Sequence, residues 1–455
     1  MSIYKECDIR GIYKKDFDES TAYLIGRAVG SIASGKCIAV GGDVRESTPV
    51  LKRELIRGVL DSGANVADLG MVSTPMFYFT LKHYSLDGGV TVTASHNPPQ
   101  YNGFKVMFGD KPVTRADIME IMRRVGSGDF SEGRGALTSL CPLDNYIGSL
   151  TRRFSRGRMK VVIDSGNGMM SEAAPQAFEA LGYEVVRLYC EYDGRFPNRS
   201  PNPAVYDNLK DLRATVTQCK AGFGVAFDGD GDRAVFVDDA GGVVTGEQSL
   251  IIFIGNTISD SGFSVVYDQK SSSIVKNAII AKGGEPIMER SGHAFIKKRF
   301  LDSGSILAGE VSGHFFFREL GYDDGLFAAL TMASILTEKK EKLSAIAKGI
   351  PHLPITPDMR IPCPYGQQDE WLGRIRASAS QYEVIEIDGV RVEFPYGWLL
   401  ARKSVTEESM TFRAEALDNE SLNRIKDFLI GALPHIAPAI AGYFISSVDD
   451  GRINS

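Results

Sequence analysis

Four short stretches carry residue types that could act together on a phosphate. Thr93-Ala94-Ser95-His96-Asn97-Pro98 follows the apolar run Gly89-Val90-Thr91-Val92. A strand therefore ends by delivering a hydroxyl and an imidazole together. Phe227-Asp228-Gly229-Asp230-Gly231-Asp232-Arg233 sets three carboxylates at alternate positions in a loop that its glycines allow to fold inward around one hard cation. Gly309-Glu310-Val311-Ser312-Gly313-His314 spaces carboxylate, hydroxyl and imidazole by two residues, so continued strand geometry would put all three on one face. Such a set suits neighbouring sugar hydroxyls, with the imidazole free for a phosphate or a proton. Arg402-Lys403-Ser404-Val405-Thr406 alternates cations and hydroxyls, which fits a phosphate gripped by a guanidinium fork.

Each stretch has a plainer reading. Ser95 could be a helix N-cap or an ordinary loop hydroxyl. A hydrolase nucleophile fits poorly, because no G-x-S-x-G elbow is present. A phosphorylated serine fits better: it adds roughly −1.5 to −2 charges and oxygens that a metal can hold. The aspartate run could be a solvated acidic turn or an EF-hand. The second is disfavoured because Arg233 stands where an EF-hand needs glycine, and the flanks read as strands. The Glu310 set could be unrelated surface polars, and the Arg402 set a polar edge strand. Arg10 in Asp8-Ile9-Arg10-Gly11, Lys270 after the 264–267 strand and His293 in Ser291-Gly292-His293 are weaker supporting signals. His83, His352 and His435 read as structural or surface residues.

The elements that must position these loops form an α/β pattern. Strand-like runs at 37–40, 64–69 and 89–92, with a helix at 49–62, make a first unit that ends in the glycine- and serine-rich break at 126–140. A second unit contains 160–164, 184–188 and 224–227. A third begins near 247 and contains 264–267 and 305–308. In each, a strand ends in a polar loop, the place where open α/β sheets bind ligands. Residues 351–364 hold five prolines and read as a linker. Beyond them, strands at 384–392 and 402–416 and a helix at 421–433 suggest a separate α+β unit. The expected domains are 1–140, 141–246, 247–352 and 353–455.

A chain of 455 residues is too long for one core, and 43% hydrophobic with 24% charged residues describes an ordinary globular protein. The net charge of −6 and the lack of a Lys/Arg block argue against nucleic acid as a partner. The N-terminus lacks the apolar core of a signal peptide, and Pro434 and Pro438 interrupt the apolar stretch 428–445, so no membrane association is expected. Six scattered cysteines without a C-x-x-C pair read as reduced thiols, and a cytoplasmic location is expected.

These motifs together closely resemble the α-D-phosphohexomutase family, in its bacterial phosphomannomutase/phosphoglucomutase branch. The resemblance runs nearly end to end, through Asp8–Gly11, the Ser95 loop with Tyr101-Asn102-Gly103-Phe104-Lys105, the aspartate loop, Ser291–His293, Gly309–His314 and the Arg402 loop. It implies a heart-shaped enzyme of three related α/β domains, with mixed and mostly parallel sheets, plus a smaller C-terminal α+β domain. Ser95 would be a phosphoserine, with Mg²⁺ held by it and by Asp228, Asp230 and Asp232. Arg10, Lys105, Arg233 and His96 would surround the moving phosphoryl group, and Glu310 and Ser312 would hold the sugar. Arg402, Ser404 and Thr406 would bind the other phosphate, while Lys270, His293 and His314 line the cleft. The implied reaction interconverts hexose 1-phosphate and 6-phosphate of mannose or glucose through glucose 1,6-bisphosphate or mannose 1,6-bisphosphate, by a monomer or homodimer.

Alternatives are a phosphoglucosamine mutase, disfavoured by Val311 where such relatives carry glutamine, and a non-catalytic sugar-phosphate-binding homologue. Two departures from the family pattern matter. Val405 and Glu408 replace an amide and a proline in the last loop, and Cys7 stands where an aromatic residue is common.

Overall fold

The computed structural model describes every residue except 1, 2, 7, 110, 257–261, 405–407 and 445–455. Cys7, Val405 and Thr406 thus lie outside the described residues.

Four sheets follow one another along the chain. The first has seven strands, in the order Ile9–Ile12, Tyr101–Phe108, Gly88–Val92, Cys37–Gly42, Asn65–Met71 and Leu137–Ser139, with Lys111–Pro112 off the path. Gly88–Val92, Cys37–Gly42, Asn65–Met71 and Leu137–Ser139 pair in parallel, and Tyr101–Phe108 pairs antiparallel with Gly88–Val92 and with the edge strand Ile9–Ile12. The glycine-rich stretch after residue 126 does not simply leave this unit: it returns a strand, Leu137–Ser139, to the sheet beside Asn65–Met71. The second and third sheets have five strands each and mix parallel and antiparallel pairs. The fourth, also of five strands, is antiparallel throughout. The architecture is therefore three α/β domains followed by a smaller α+β one, as expected.

The central strands Gly88–Val92, Lys160–Asp164, Phe223–Phe227 and Ser264–Asp268 are buried along nearly their whole length, which suits strands covered on both faces. Thr114 and Asp117 form a reciprocal capping box on Arg115–Ser127, and Gly128 closes that helix with a φ of 70°.

One apolar core runs through the first three units, beside a separate core from Ile3 to Ile121 that lies within the first unit alone. The shared core joins Phe77 and Leu81 to Tyr146, Phe178, Phe236, Phe315 and Leu326. The fourth unit keeps a core of its own, from Met359 to Phe444. The proline-rich stretch is only partly a linker. Met359–Pro362 is an edge strand paired with Ser409–Ala416, an edge being where a strand tolerates proline.

Among the described residues no helix is long and apolar enough to cross a membrane. The three histidines set aside in the sequence stay outside the cleft: His83 stacks on Phe79, His435 meets the edge of Trp371, and His352 is exposed.

Candidate active site

Ser95 sits just past the end of Gly88–Val92, and no helix begins there, so the N-cap reading does not hold. Its φ of 49° places a non-glycine residue in left-handed backbone, a conformation costing about 1–3 kcal/mol unless its surroundings enforce it. Arg45 enforces it. Its side chain is fully buried and donates from Nη2 to the carbonyls of Ser95 (2.8 Å) and Asn97 (2.6 Å). From Nη1 it donates to those of Pro98 (2.7 Å) and Tyr101 (3.0 Å). Asp43 neutralises it at 3.0 Å and also accepts from Thr93 Oγ1, which in turn takes the Ser95 amide.

The aspartate loop connects two antiparallel strands, Phe223–Phe227 and Ala234–Asp238, which removes the EF-hand reading. All three carboxylates are buried, which removes the solvated-turn reading as well. Asp228 folds the loop inward by accepting the amides of Gly231 and Arg233 on Oδ1. Gly231 takes a φ of 82°, and a Cβ at Gly229 would stand 2.5 Å from the Ser95 carbonyl oxygen. The serine loop and the aspartate loop therefore fit only because residue 229 is glycine. Thr74, at the start of helix Thr74–His83, donates to Asp230 Oδ2 at 2.6 Å and ties the two domains together.

Ser95 Oγ donates to Asp228 Oδ2 at 2.8 Å and lies 3.3 Å from His96 Nδ1. Lys105 Nζ bridges Asp230 Oδ2 (2.8 Å) and Asp232 Oδ2 (2.6 Å). Burial opposes its charge, but these carboxylates raise its pKa well above the usual lysine range. The triad divides the burden of burial unevenly. Burial, Asp232 and Asp230 push Asp228 well up, whereas Asp232, equally buried, is held well down by Lys105 and His314. A buried carboxyl forced upward by its acidic neighbours is what a divalent cation would relieve. Asp230 Oδ1 is moreover buried without a hydrogen-bond partner. Three buried carboxylates with ligand atoms mutually within 4.8 Å, and an adjacent serine oxygen, fit a hard cation.

The third domain closes one side. Glu310, Ser312 and His314 do converge, but not through strand periodicity. The strand ends at Gly309, and the Glu310 amide donates to the His314 carbonyl across a tight turn with Gly313 at φ 93°. The turn itself gathers the side chains: Ser312 Oγ donates to Glu310 Oε2 (2.9 Å) and lies 3.0 Å from His314 Nδ1. His314 Nε2 is 3.2 Å from Asp232 Oδ1. Burial opposes the imidazolium, yet Asp232 and Glu310 raise His314 to about 10. His96 goes the opposite way, pushed well below the usual range by burial and by Arg233 and Arg10.

A cavity of about 770 Å³ opens here, lined among others by Arg10, Ser95, Lys105, Arg233, His293 and His314. Arg10 is steered by Asn97 Oδ1 at 2.7 Å and Asp8 at 2.6 Å, and its Nε has no hydrogen-bond partner. Glu310 Oε1 is likewise buried without one.

Of the expected site residues, His96, Glu310 and Ser312 do not line this cavity themselves but lie next to Ser95 and His314, which do. Lys270, Arg402 and Ser404 do not line it either. Lys270 Nζ pairs with Asp358 of the fourth domain at 2.5 Å. Arg402, near the end of strand Gly397–Lys403, pairs with Asp388 at 3.0 Å and keeps a buried Nε with no hydrogen-bond partner. Ser404 follows that strand, its amide donating to the Ser409 carbonyl, and Thr406 lies outside the described residues.

The sequence motifs do not include Asp43, Arg45 and Thr74, nor Tyr78, which lines the cavity, nor Asp323, whose Oδ2 lies 2.8 Å from His293 Nε2. Asp43-Val44-Arg45 directly after a strand, like Asp228–Arg233, was the available signal for the first two.

Three family models match the chain: phosphoglucomutase/phosphomannomutase alpha/beta/alpha domain I over residues 1–132, domain II over 144–242 and domain III over 245–353. A phosphomannomutase/phosphoglucomutase of Pseudomonas aeruginosa is 38% identical over 434 residues, covering 93% of this chain and 94% of the relative. A phosphoglucomutase of Neisseria meningitidis serogroup B is 37% identical over 438 residues, covering 93% and 95%. The crystal structure of a phosphoglucomutase/phosphomannomutase family protein from Burkholderia thailandensis superposes with a TM-score of 0.89 at 35% identity, covering 97% and 98%. With the serine, aspartate and histidine loops assembled in one cleft, the chain belongs to the phosphoglucomutase/phosphomannomutase family.

Proposed function

We propose that this chain is a phosphohexose mutase interconverting the 1- and 6-phosphates of glucose and mannose, with Ser95 as the phosphoryl carrier. The observation that carries the reading is the position of Ser95 Oγ, 2.8 Å from Asp228 and facing a cavity lined by Arg10, Lys105, Arg233 and two histidines. Phospho-Ser95 gives its phosphoryl group to the free hydroxyl of a hexose monophosphate. The seryl Oγ–P bond breaks, a sugar O–P bond forms, and the hydroxyl proton leaves to a base. The bisphosphorylated sugar, glucose or mannose 1,6-bisphosphate, then turns end for end, and its other phosphate returns to Ser95.

Phosphoryl transfer is mainly positioning and charge neutralisation, and these side chains suit that work. Arg10, Lys105 and Arg233 would neutralise the equatorial oxygens. Mg²⁺ bound by Asp228, Asp230, Asp232 and the phosphoserine would supply further positive charge at the transferring group. His96, kept neutral, has Nδ1 3.3 Å from Ser95 Oγ and is placed to hold a proton. His314, favoured as imidazolium, is better suited to donate to a phosphate than to abstract a proton.

Glu310 Oε1, a buried acceptor without a partner, would take a sugar hydroxyl, and Ser312 a second one. Contacts to O3 and O4 do not separate glucose from mannose, which differ at C2. Arg402 Nε, with Ser404, Thr406 and Lys270, would hold the non-transferring phosphate once the fourth domain moves over the cleft. Domain limits near 140, 246 and 352, a cytoplasmic location and action as a monomer or homodimer complete the proposal. Two distant neighbours, N-acetylphosphoglucosamine mutases of Aspergillus fumigatus, were solved with GlcNAc-6P and magnesium and with glucose 1,6-bisphosphate.

The test is isomerisation of glucose, mannose and glucosamine 1-phosphates with Mg²⁺. Comparable kcat/KM for glucose and mannose, well above glucosamine, supports the proposal. A preference for glucosamine 1-phosphate would make the chain a phosphoglucosamine mutase, and no turnover of any would make it a sugar-phosphate binder.

A further inference from the structure

Beside the three-aspartate loop, a second group of metal-capable side chains converges from separate parts of the chain. Asp232 comes from that loop and His293 is the first residue of helix His293–Ser303. His314 precedes strand Phe315–Phe317, and Asp323 ends strand Tyr322–Asp323. Each offers one ligand atom, and the four atoms lie within 4.8 Å of one another. His293 Nε2 is 2.8 Å from Asp323 Oδ2, and His314 Nε2 is 3.2 Å from Asp232 Oδ1. The two imidazole centroids are 5.0 Å apart.

Three of the four residues are at most 3% exposed, and Asp323 is fully buried. Asp323 Oδ1 has no hydrogen-bond partner. A buried carboxylate that meets His293 with one oxygen and nothing with the other carries an unmet demand for positive charge or a donor.

The donor set differs in kind from its neighbour. Asp228, Asp230 and Asp232 offer oxygen alone, which suits a hard octahedral cation. Two imidazole nitrogens with two carboxylate oxygens suit a borderline-soft tetrahedral ion. Around Zn²⁺, bonds of about 2.0–2.1 Å put ligand atoms about 3.3 Å apart, so the observed cluster needs only modest contraction. Two carboxylates balance a divalent charge. Asp232 serves both sets: Lys105 holds its Oδ2, while its Oδ1 faces His314.

We propose that Asp232, His293, His314 and Asp323 form a second metal site, selective for Zn²⁺-class ions and distinct from the all-oxygen site that it adjoins. An ion there displaces the proton that Asp232 and Glu310 favour on His314, releasing it to solvent, and takes both imidazoles that line the cavity, so it opposes turnover. That consequence rests on the mutase reading, whereas binding itself does not.

The test uses the full chain in a large excess of Mg²⁺. Equilibrium dialysis against Zn²⁺ is expected to retain one ion per chain. Co²⁺ as a probe is expected to give the intense visible absorption of a tetrahedral, nitrogen-containing site. Asp323→Asn and His293→Gln, each checked for folding by circular dichroism, should weaken Zn²⁺ binding at least about 10-fold. Zinc inhibition of turnover should persist as Mg²⁺ is raised. The proposal is overturned if excess Mg²⁺ displaces all Zn²⁺, if Co²⁺ shows only weak octahedral bands, or if a folded variant of either kind binds Zn²⁺ like the parent. Any of those results would leave Asp323 as a partner that only orients His293.

Discussion

The block of the first three domains and the fourth domain are held by different forces. An apolar core joins the three units of the block, and the candidate site loops touch directly: Thr74 reaches Asp230, Ser95 reaches Asp228, and His314 reaches Asp232. The fourth domain has a closed core and meets the block through polar groups. Asp358 pairs with Lys270, Glu415 accepts the Ser273 amide at 2.8 Å, and Arg413 lies 3.5 Å from Glu247. Apolar burial is non-directional, whereas hydrogen bonds and ion pairs are specific contacts that can be made and broken one at a time. The proposed phosphoryl-transfer centre is thus built in advance, and the arm that would grip the distant phosphate is joined to it by polar contacts alone.

Four perturbations sharpen or break that contrast. The largest effect is expected from Ser95→Ala, which should cut mutase turnover by at least about 1,000-fold while a thermal melt shifts little. A large loss of stability would mean that the hydroxyl is structural. Arg45→Met should come next, because it leaves buried Asp43 unpaired and four loop carbonyls without their donor. A loss of about 3–5 kcal/mol in denaturant unfolding, with turnover falling too, is the expected result. An active, stable Arg45→Met protein would show that the serine loop is not held from behind.

Arg402→Ala should raise KM for sugar phosphates about 10- to 100-fold, the range for losing one charge-assisted hydrogen bond, with metal affinity unchanged. Unaltered KM and kcat would remove that residue from the phosphate grip. The smallest change is expected from Asp358→Asn. Its pair with Lys270 touches neither the serine loop nor the aspartate loop. Substrate binding should shift only a few-fold, through easier movement of the fourth domain, as read by small-angle scattering with and without substrate. A change in Mg²⁺ affinity instead would tie the joint to the metal loop.

The same contrast governs what could be read in the sequence. Ser95 and the three aspartates are legible because each function is packed into a handful of consecutive residues. Glu310, Ser312 and His314 were found by spacing, but strand alternation was the wrong reason. Gly313 turns the chain, and a turn can gather the same side chains. Arg45 signals only its place after a strand and not its role, because its partners are backbone carbonyls at least 50 positions away, and carbonyls have no sequence signature. Asp323 was hidden likewise, since its histidine partner lies 30 residues earlier on another element. The edge strand Met359–Pro362 was masked by its prolines, which mark a linker unless the strand lies at a sheet edge.

Incubation of the full chain with glucose 1,6-bisphosphate and Mg²⁺, followed by intact-mass measurement and peptide mapping, addresses the carrier role of Ser95 most directly. The expected result is one added phosphoryl group, located on Ser95, absent from Ser95→Ala and discharged by a hexose monophosphate. No added mass, or phosphate on another residue that still supports turnover in Ser95→Ala, would contradict it.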